Sequence, residues 1–246
     1  MADDYRKTDA AVMEPFRRAF RKVGHEGGKI MKKTALTALI LAAVLLCGVP
    51  AGAKEIVRSF RQQIPVGNAS KIHLDFPVGE VRVAGWDSRQ VDIDVKIACD
   101  EERSRCEEAA KKLRLVYNAA DGQLEVKIAD WPRFGAIKGL NVIASLRVPR
   151  DLPLRADLGV GDLTIEGIAG DLTADLGVGD VQVTLPKGAV GSARIDAGIG
   201  EASLIAGGRR YSSEGLISRQ INWDKGTGHS RVKVDCGVGE IHVTLA

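Results

Sequence analysis

Asp157-Leu-Gly-Val-Gly-Asp-Leu-Thr-Ile165 is followed, eighteen residues on, by Asp175-Leu-Gly-Val-Gly-Asp-Val-Gln-Val183. The phrase acid-x-Gly-(Val or Ile)-Gly-acid-apolar-x-apolar returns at Asp196, at Asp235 and, with Pro77 in place of the first glycine, at Asp75. From Asp157 the starts fall 18, 21 and 39 residues apart, the last gap being about two periods. A fixed period near about twenty residues with strand-like content is the pattern of stacked coils, none of which can bury its inner face alone. The sequence therefore predicts an all-β protein. Its expected form is a single-domain β-solenoid over residues 54–246, with coils of 18–21 residues that are regular over 141–246.

Within each repeat the apolar residues alternate with polar ones, as on a half-buried strand. Leu154, Ala156 and Leu158 share one face, and Leu163 and Ile165 continue it beyond the glycines. The intervening slots hold Arg155, Thr164, Thr173, Gln182, Arg194, Ser203, Lys233 and His242. The glycine pairs Gly159/Gly161, Gly177/Gly179, Gly198/Gly200 and Gly237/Gly239 are expected at corners, where positive φ costs glycine nothing. Stacking at about 4.8 Å would turn each inward slot into an apolar ladder. Cys236 fills the slot of Phe76, Leu158, Leu176 and Ala197, so it reads as a buried free thiol packing as a small hydrophobe.

Upstream, Val91, Ile93, Val95 and Ile97 alternate against Asp92, Asp94 and Lys96. Residues 100–114 break that rhythm: Ala109, Ala110 and Leu113 fall at helical spacing, acids come early and Lys111, Lys112 and Arg114 late. That order complements a helix dipole and predicts one short helix. Asp121-Gly122 between apolar alternations predicts a hairpin. Trp131 and Phe134 belong to a loop that exposes aromatics or caps one end of the sheet, and residues 207–230, around Trp223, read as a degenerate coil or cap. Cys99 and Cys106, six polar or charged residues apart, are a candidate disulfide, which an oxidising compartment permits.

The net charge of +3 resides in the N-terminal arm. Residues 1–33 carry nine Lys/Arg and five Asp/Glu, leaving 26 basic against 27 acidic residues downstream, so nucleic acid is not an expected partner. Lys32-Lys33, the apolar run Ala35–Val49, Pro50 and the small residues Ala51-Gly52-Ala53 read as a signal peptide over 31–53, cleaved after Ala53. Export to the periplasm, envelope or exterior follows. The alternative is an uncleaved anchor, which would bring a membrane into play. Residues 1–30 read as a non-native leader or a cytoplasmic basic segment.

Each repeat carries two acids, Asp157/Asp162, Asp175/Asp180, Asp196/Glu201 and Asp235/Glu240, which stacking would align in columns. Calcium would relieve their repulsion, but the acid directly follows the second glycine and the register is wrong for a calcium nonapeptide. The preferred reading makes the first acid an Asx-turn onto the corner and the second a solvated charge. The histidines His25, His73, His229 and His242 show no zinc spacing, His242 taking a solvated outward slot. No nucleophile elbow or phosphate loop is present, so neither catalysis nor a cofactor is expected.

From about residue 70 to Ala246 the chain resembles the bacterial putative-adhesin family, a domain of unknown function built of β-strand repeats. The resemblance is carried by Asp157–Ile165, Asp175–Val183, the closing Asp235-Cys-Gly-Val-Gly-Glu-Ile-His-Val243 and the preceding Leu146-Arg-Val-Pro149. It implies an exported, envelope-associated solenoid and carries over no catalytic or ligand residues. The expected function is a non-catalytic scaffold for adhesion or contact with an unknown protein or cell-surface partner. A membrane-tethered sensor of envelope stress is the alternative, and a polysaccharide-active enzyme the third reading.

Overall fold

The apolar alternation of each repeat becomes a long strand bent at its glycines. In the computed structural model, which describes residues 55–99, 103–132, 139–213 and 217–246, the repeats are β2 (Lys71–Trp86), β7 (Leu154–Glu166), β8 (Leu172–Leu185), β9 (Val190–Ala206) and β12 (Ser230–Leu245). They lie side by side and parallel in the order β2-β7-β8-β12-β9. Register is kept repeat to repeat: Asp157 faces Asp75 and Asp175, and Asp235 faces Asp175 and Asp196. The all-β expectation holds, in an open twelve-stranded sheet.

One feature departs from coils stacked in chain order. The last repeat, β12, lies between β8 and β9 rather than beyond β9. The 39-residue gap before it is not a degenerate coil: β10 (Arg209–Ser212) and β11 (Ile217–Trp223) run antiparallel to β9 and cover its outer edge. The cap half of the expectation is what is seen, with Trp223 buried and opposite Ala193.

Because each repeat strand bends, the ladder has two walls. Before the corner, β4 (Arg114–Ala120) and β5 (Gln123–Ala129) extend the first wall from β2 at Lys71–Asp75. After it, β6 (Leu140–Pro149), β3 (Gln90–Cys99) and β1 (Glu55–Pro65) extend the second wall from Glu80–Trp86. The inward residues of both walls form a single buried cluster. Leu74, Ala174, Val181, Val183, Ile195, Val234 and Ile241 are wholly shielded. Each fully buried Val, Leu or Ile contributes about 1.5–3 kcal/mol, and the ladder supplies such a residue at nearly every inward slot.

The helix, α1, runs Arg103–Lys112 and packs on β1 and β3, with Cys106, Ala109 and Ala110 facing the core. Arg58 donates to the carbonyl of Ala110 (3.2 Å) and to that of Lys111, satisfying the helix C-terminus. Asp100, Glu101 and Glu102, the acids expected early in it, lie outside the described residues. Cys99 and Cys106 form a disulfide that ties α1 to the end of β3. The Asp121-Gly122 hairpin joins β4 to β5, both residues taking positive φ as a two-residue type I′ turn requires. Trp131 packs against the core from the following loop; Phe134 lies outside the described residues. So do residues 1–53, on which the expected leader, signal peptide and cleavage after Ala53 fall. Among the described residues no helix is long and apolar enough to cross a membrane.

Candidate functional site: the Gly-x-Gly corner

The two glycines of each corner act for different reasons. Only the second takes positive φ: 139° at Gly79, 130° at Gly161, 132° at Gly179, 134° at Gly200 and 141° at Gly239. A Cβ there would also strike the neighbouring strand's carbonyl, at 2.0 Å for Gly161 against Gly79 O and 1.7 Å for Gly239 against Gly179 O. The first glycines, Gly159, Gly177, Gly198 and Gly237, have ordinary φ, so the expectation of positive φ at both positions is corrected. They are needed for closeness alone, since a Cβ would lie 2.3–2.6 Å from the adjacent carbonyl oxygen. Pro77 escapes this constraint. On its far side β5 pairs β2 only as far as Asp75 and β6 pairs it only from Glu80, so no strand pairs with Pro77 there.

The residue between the glycines points outward. Val78, Val160, Val178, Val238 and Ile199 therefore align across five strands in one column. Val178 is 46% exposed, Val238 44% and Ile199 55%. At about 4.8 Å per strand the column is roughly 19 Å long. Sequence reasoning passed over it, although strict recurrence of Val or Ile between two glycines marks it.

One carboxylate column flanks this ridge on each side. On the first wall, Asp75, Asp157, Asp175, Asp235 and Asp196 form one column, and the row two residues upstream holds His73, Arg155, Thr173, Lys233 and Arg194. Arg155 bridges Asp157 (2.9 Å) and Asp175 (2.5 Å), His73 donates to Asp157 (2.7 Å), and Lys233 bonds Asp235. Ion pairs within and between strands thus stand where Asx-turns were expected. Burial pushes the Asp175 carboxyl above its usual range, repulsion from Asp157 and Asp235 adding to it while Arg155 pulls it down. On the second wall, Glu80, Asp162, Asp180, Glu240 and Glu201 form the other column. Here Asp180 accepts the Glu240 backbone N–H at 3.2 Å, so this acid is partly engaged rather than simply solvated.

Register brings these acids together, but among the described residues no group of three or more His, Cys, Asp or Glu is arranged to hold a metal ion. Cys236 is buried, its thiol donating to Gly179 O and pushed up in pKa by burial.

His242 corrects the expectation of a free outward side chain. Its Nδ1 accepts from the Ser203 hydroxyl (2.8 Å) and its Nε2 donates to Glu240 (3.2 Å). A serine, a histidine and an acid thus meet, and among the described residues the backbone beside them pairs in the β8-β12-β9 ladders.

No protein-family model matches this chain, and no curated protein does. Solved structures similar to it include one described as a putative cell adhesion protein from Clostridium sporogenes. That likeness has 19% identity, covers 77% of this chain and 99% of the other, and has a TM-score of 0.48. A putative lipid binding protein from Parabacteroides distasonis is 12% identical over 76% of this chain and 66% of its own, with a TM-score of 0.30. A putative adhesin from Parabacteroides merdae, 10% identical, covers 53% of this chain and 54% of its own at a TM-score of 0.22.

Proposed function

We propose that this chain is an exported, non-catalytic β-solenoid scaffold whose glycine corner docks a protein or cell-surface partner. The observation that carries this reading is the solvent-facing column Val78-Val160-Val178-Val238-Ile199. An aligned apolar ridge rimmed by charge is the usual form of a contact surface. Reading the bent ladder as coils is supported by the connection between β7 and β8, residues 167–171. Parallel strands ordinarily need a crossover of about a dozen residues; a corner within the strand makes five enough.

Charge complementarity selects the partner. On the second wall Glu201 pairs with Arg219 and Glu240 with His242, while among the described residues Asp162 and Asp180 have no ion pair. On the first wall Arg155 and Lys233 hold Asp157, Asp175 and Asp235, so the occupant offers an apolar strip edged with lysine or arginine facing Asp162 and Asp180. Covering the exposed half of one such Val or Ile contributes about 1 kcal/mol, which suits contact repeated along the ridge.

The test replaces Val178, Val238 and Ile199 together with asparagine. These side chains face solvent, so melting should be unchanged, while binding of the purified protein to envelope fractions of its own host should fall at least about tenfold, the equivalent of 1.4 kcal/mol. Undiminished binding would exclude the ridge as the docking surface. Intact mass of the native protein in membrane, periplasmic and extracellular fractions tests export: a species beginning at Lys54 supports it, and a membrane species retaining Met1 or Met31 favours the tethered reading instead.

A further inference from the structure

On the outer face of the second wall, two cross-strand rows run over β1, β3, β6, β2 and β7. One reads Arg61, Asp94, Ser145, Arg82, Thr164, and the other Gln63, Asp92, Arg147, Ala84, Glu166. In the first row Arg61 pairs with Asp94 at 2.5 Å. In the second, Arg147 donates from Nε to Asp92 at 3.1 Å and lies over the Trp86 ring, 4.4 Å from its centroid. Those four charges satisfy one another. Ser145 and Ala84 are short, so the face sinks between the paired charges and the next strands into a cavity of about 560 Å³.

Two charges on its β2 and β7 side are left over. Among the described residues Arg82 has no ion pair or hydrogen bond, and neither has Glu166. They occupy adjacent strands two residues out of step, since Arg82 faces Thr164 and Ala84 faces Glu166. Opposite charges so placed could meet, yet they do not come within ion-pair distance. A planar guanidinium without a partner is a fork for a carboxylate. The Ser145 and Thr164 hydroxyls and the Gln63 amide supply further polar groups around it, and the volume suits a small ligand.

We propose that this trough binds a small carboxylate-bearing ligand, its carboxylate on Arg82 and its own hydroxyl or ammonium donors on Glu166. This site is separate from the glycine ridge and stands whether or not the ridge docks a partner. The chemistry is shared by two sources, an acidic sugar and the end of a peptide, and the probes distinguish them.

Glucuronate, the dipeptide alanyl-alanine and neutral glucose are titrated calorimetrically against the intact exported domain. One or both carboxylate probes should bind with a Kd of about 1 mM or tighter, and glucose should not. Binding of glucuronate alone assigns a saccharide, and of the dipeptide alone a peptide end. Arg82→Gln should weaken binding about tenfold or more, with Arg82→Lys intermediate because it keeps charge and loses the fork. Glu166→Gln should weaken the ammonium-bearing dipeptide more than glucuronate. Both positions face solvent, so unchanged melting temperatures verify the fold of the variants. Failure of both carboxylate probes to bind, or binding indifferent to Arg82→Gln, overturns the proposal.

Discussion

Gly179→Ala is the sharpest perturbation of this fold. Gly179 sits mid-ladder, between Gly161 of β7 and Gly239 of β12. Its φ of 132° is one that an L side chain rarely adopts, and a Cβ would stand 1.9 Å from the Gly161 oxygen and 2.8 Å from its carbonyl carbon. Both atoms are backbone and cannot swing aside, so β7 and β8 must part by roughly 1.5 Å to restore ordinary contact. The backbone conformation costs about 1–3 kcal/mol and overpacking about another 1–3. A less flexible unfolded chain returns about 0.4–1 kcal/mol. The net loss expected is about 1–5.5 kcal/mol.

Two companions isolate the terms. Gly177→Ala keeps ordinary φ but meets the Gly159 oxygen at 2.4 Å, so only the overpacking cost of about 1–3 kcal/mol applies. Gly188→Ala meets nothing within 4 Å and should be neutral or stabilising by up to about 1 kcal/mol. Urea unfolding followed by circular dichroism gives all three from linear extrapolation. The reasoning fails if Gly179→Ala lies within about 0.5 kcal/mol of the parent or proves milder than Gly177→Ala.

Two further outcomes are expected. Cys236→Asp puts a carboxylate into a slot only 3% exposed and should destabilise by several kcal/mol; an unchanged melting temperature would show that the slot is not buried. For Asp175, burial and its acidic neighbours raise the folded-state pKa, so the native state holds this proton more tightly than the unfolded chain does. Its protonation contributes stability below the unfolded value, about pH 3.9, and that contribution is lost as pH rises through the raised folded value. Asp175→Asn, neutral at every pH, should therefore melt at or above the parent temperature near pH 7, the difference narrowing towards about pH 4. Uniform destabilisation across that range would mean that the Arg155 contact outweighs burial.

What was legible in the sequence was whatever each repeat states for itself. The inward slots Leu154, Ala156, Leu158, Leu163 and Ile165 are buried as their alternation predicts, because period two on a strand leaves no other face for them. Asp121-Gly122 was legible because the turn chemistry is local. The trough was not: Arg61, Arg82, Asp94, Ser145 and Thr164 come from five strands, and only the pairing register sets them in a row. The ion-pair zipper on the other wall has the same origin. Arg155 reaches Asp157 within its own strand and Asp175 across to the next, and only the first of those contacts has a signature in one repeat.

Strand order was the remaining gap, and a local turn accounts for it. All repeats present equivalent inner faces and glycine corners, so a parallel pairing of β12 with β8, with β9 or with both would satisfy the apolar pattern equally. Gly207 and Gly208 break that degeneracy. Both take positive φ, 59° and 74°, and they join β9 to β10 through a two-residue hairpin in which Arg209 faces Ala206. A Gly-Gly pair after an apolar alternation is a hairpin signal in its own right, hidden here inside what looked like a missing coil. Once β10, and then β11, occupy the outer edge of β9, the last repeat cannot add there. The position left with a full-length parallel neighbour on each side is between β8 and β9, where Cys236 lies beside Leu176 and Ala197. The outer edge of β9 is thus closed by antiparallel strands of the same chain, and an exposed edge of that length would otherwise be a template for aggregation.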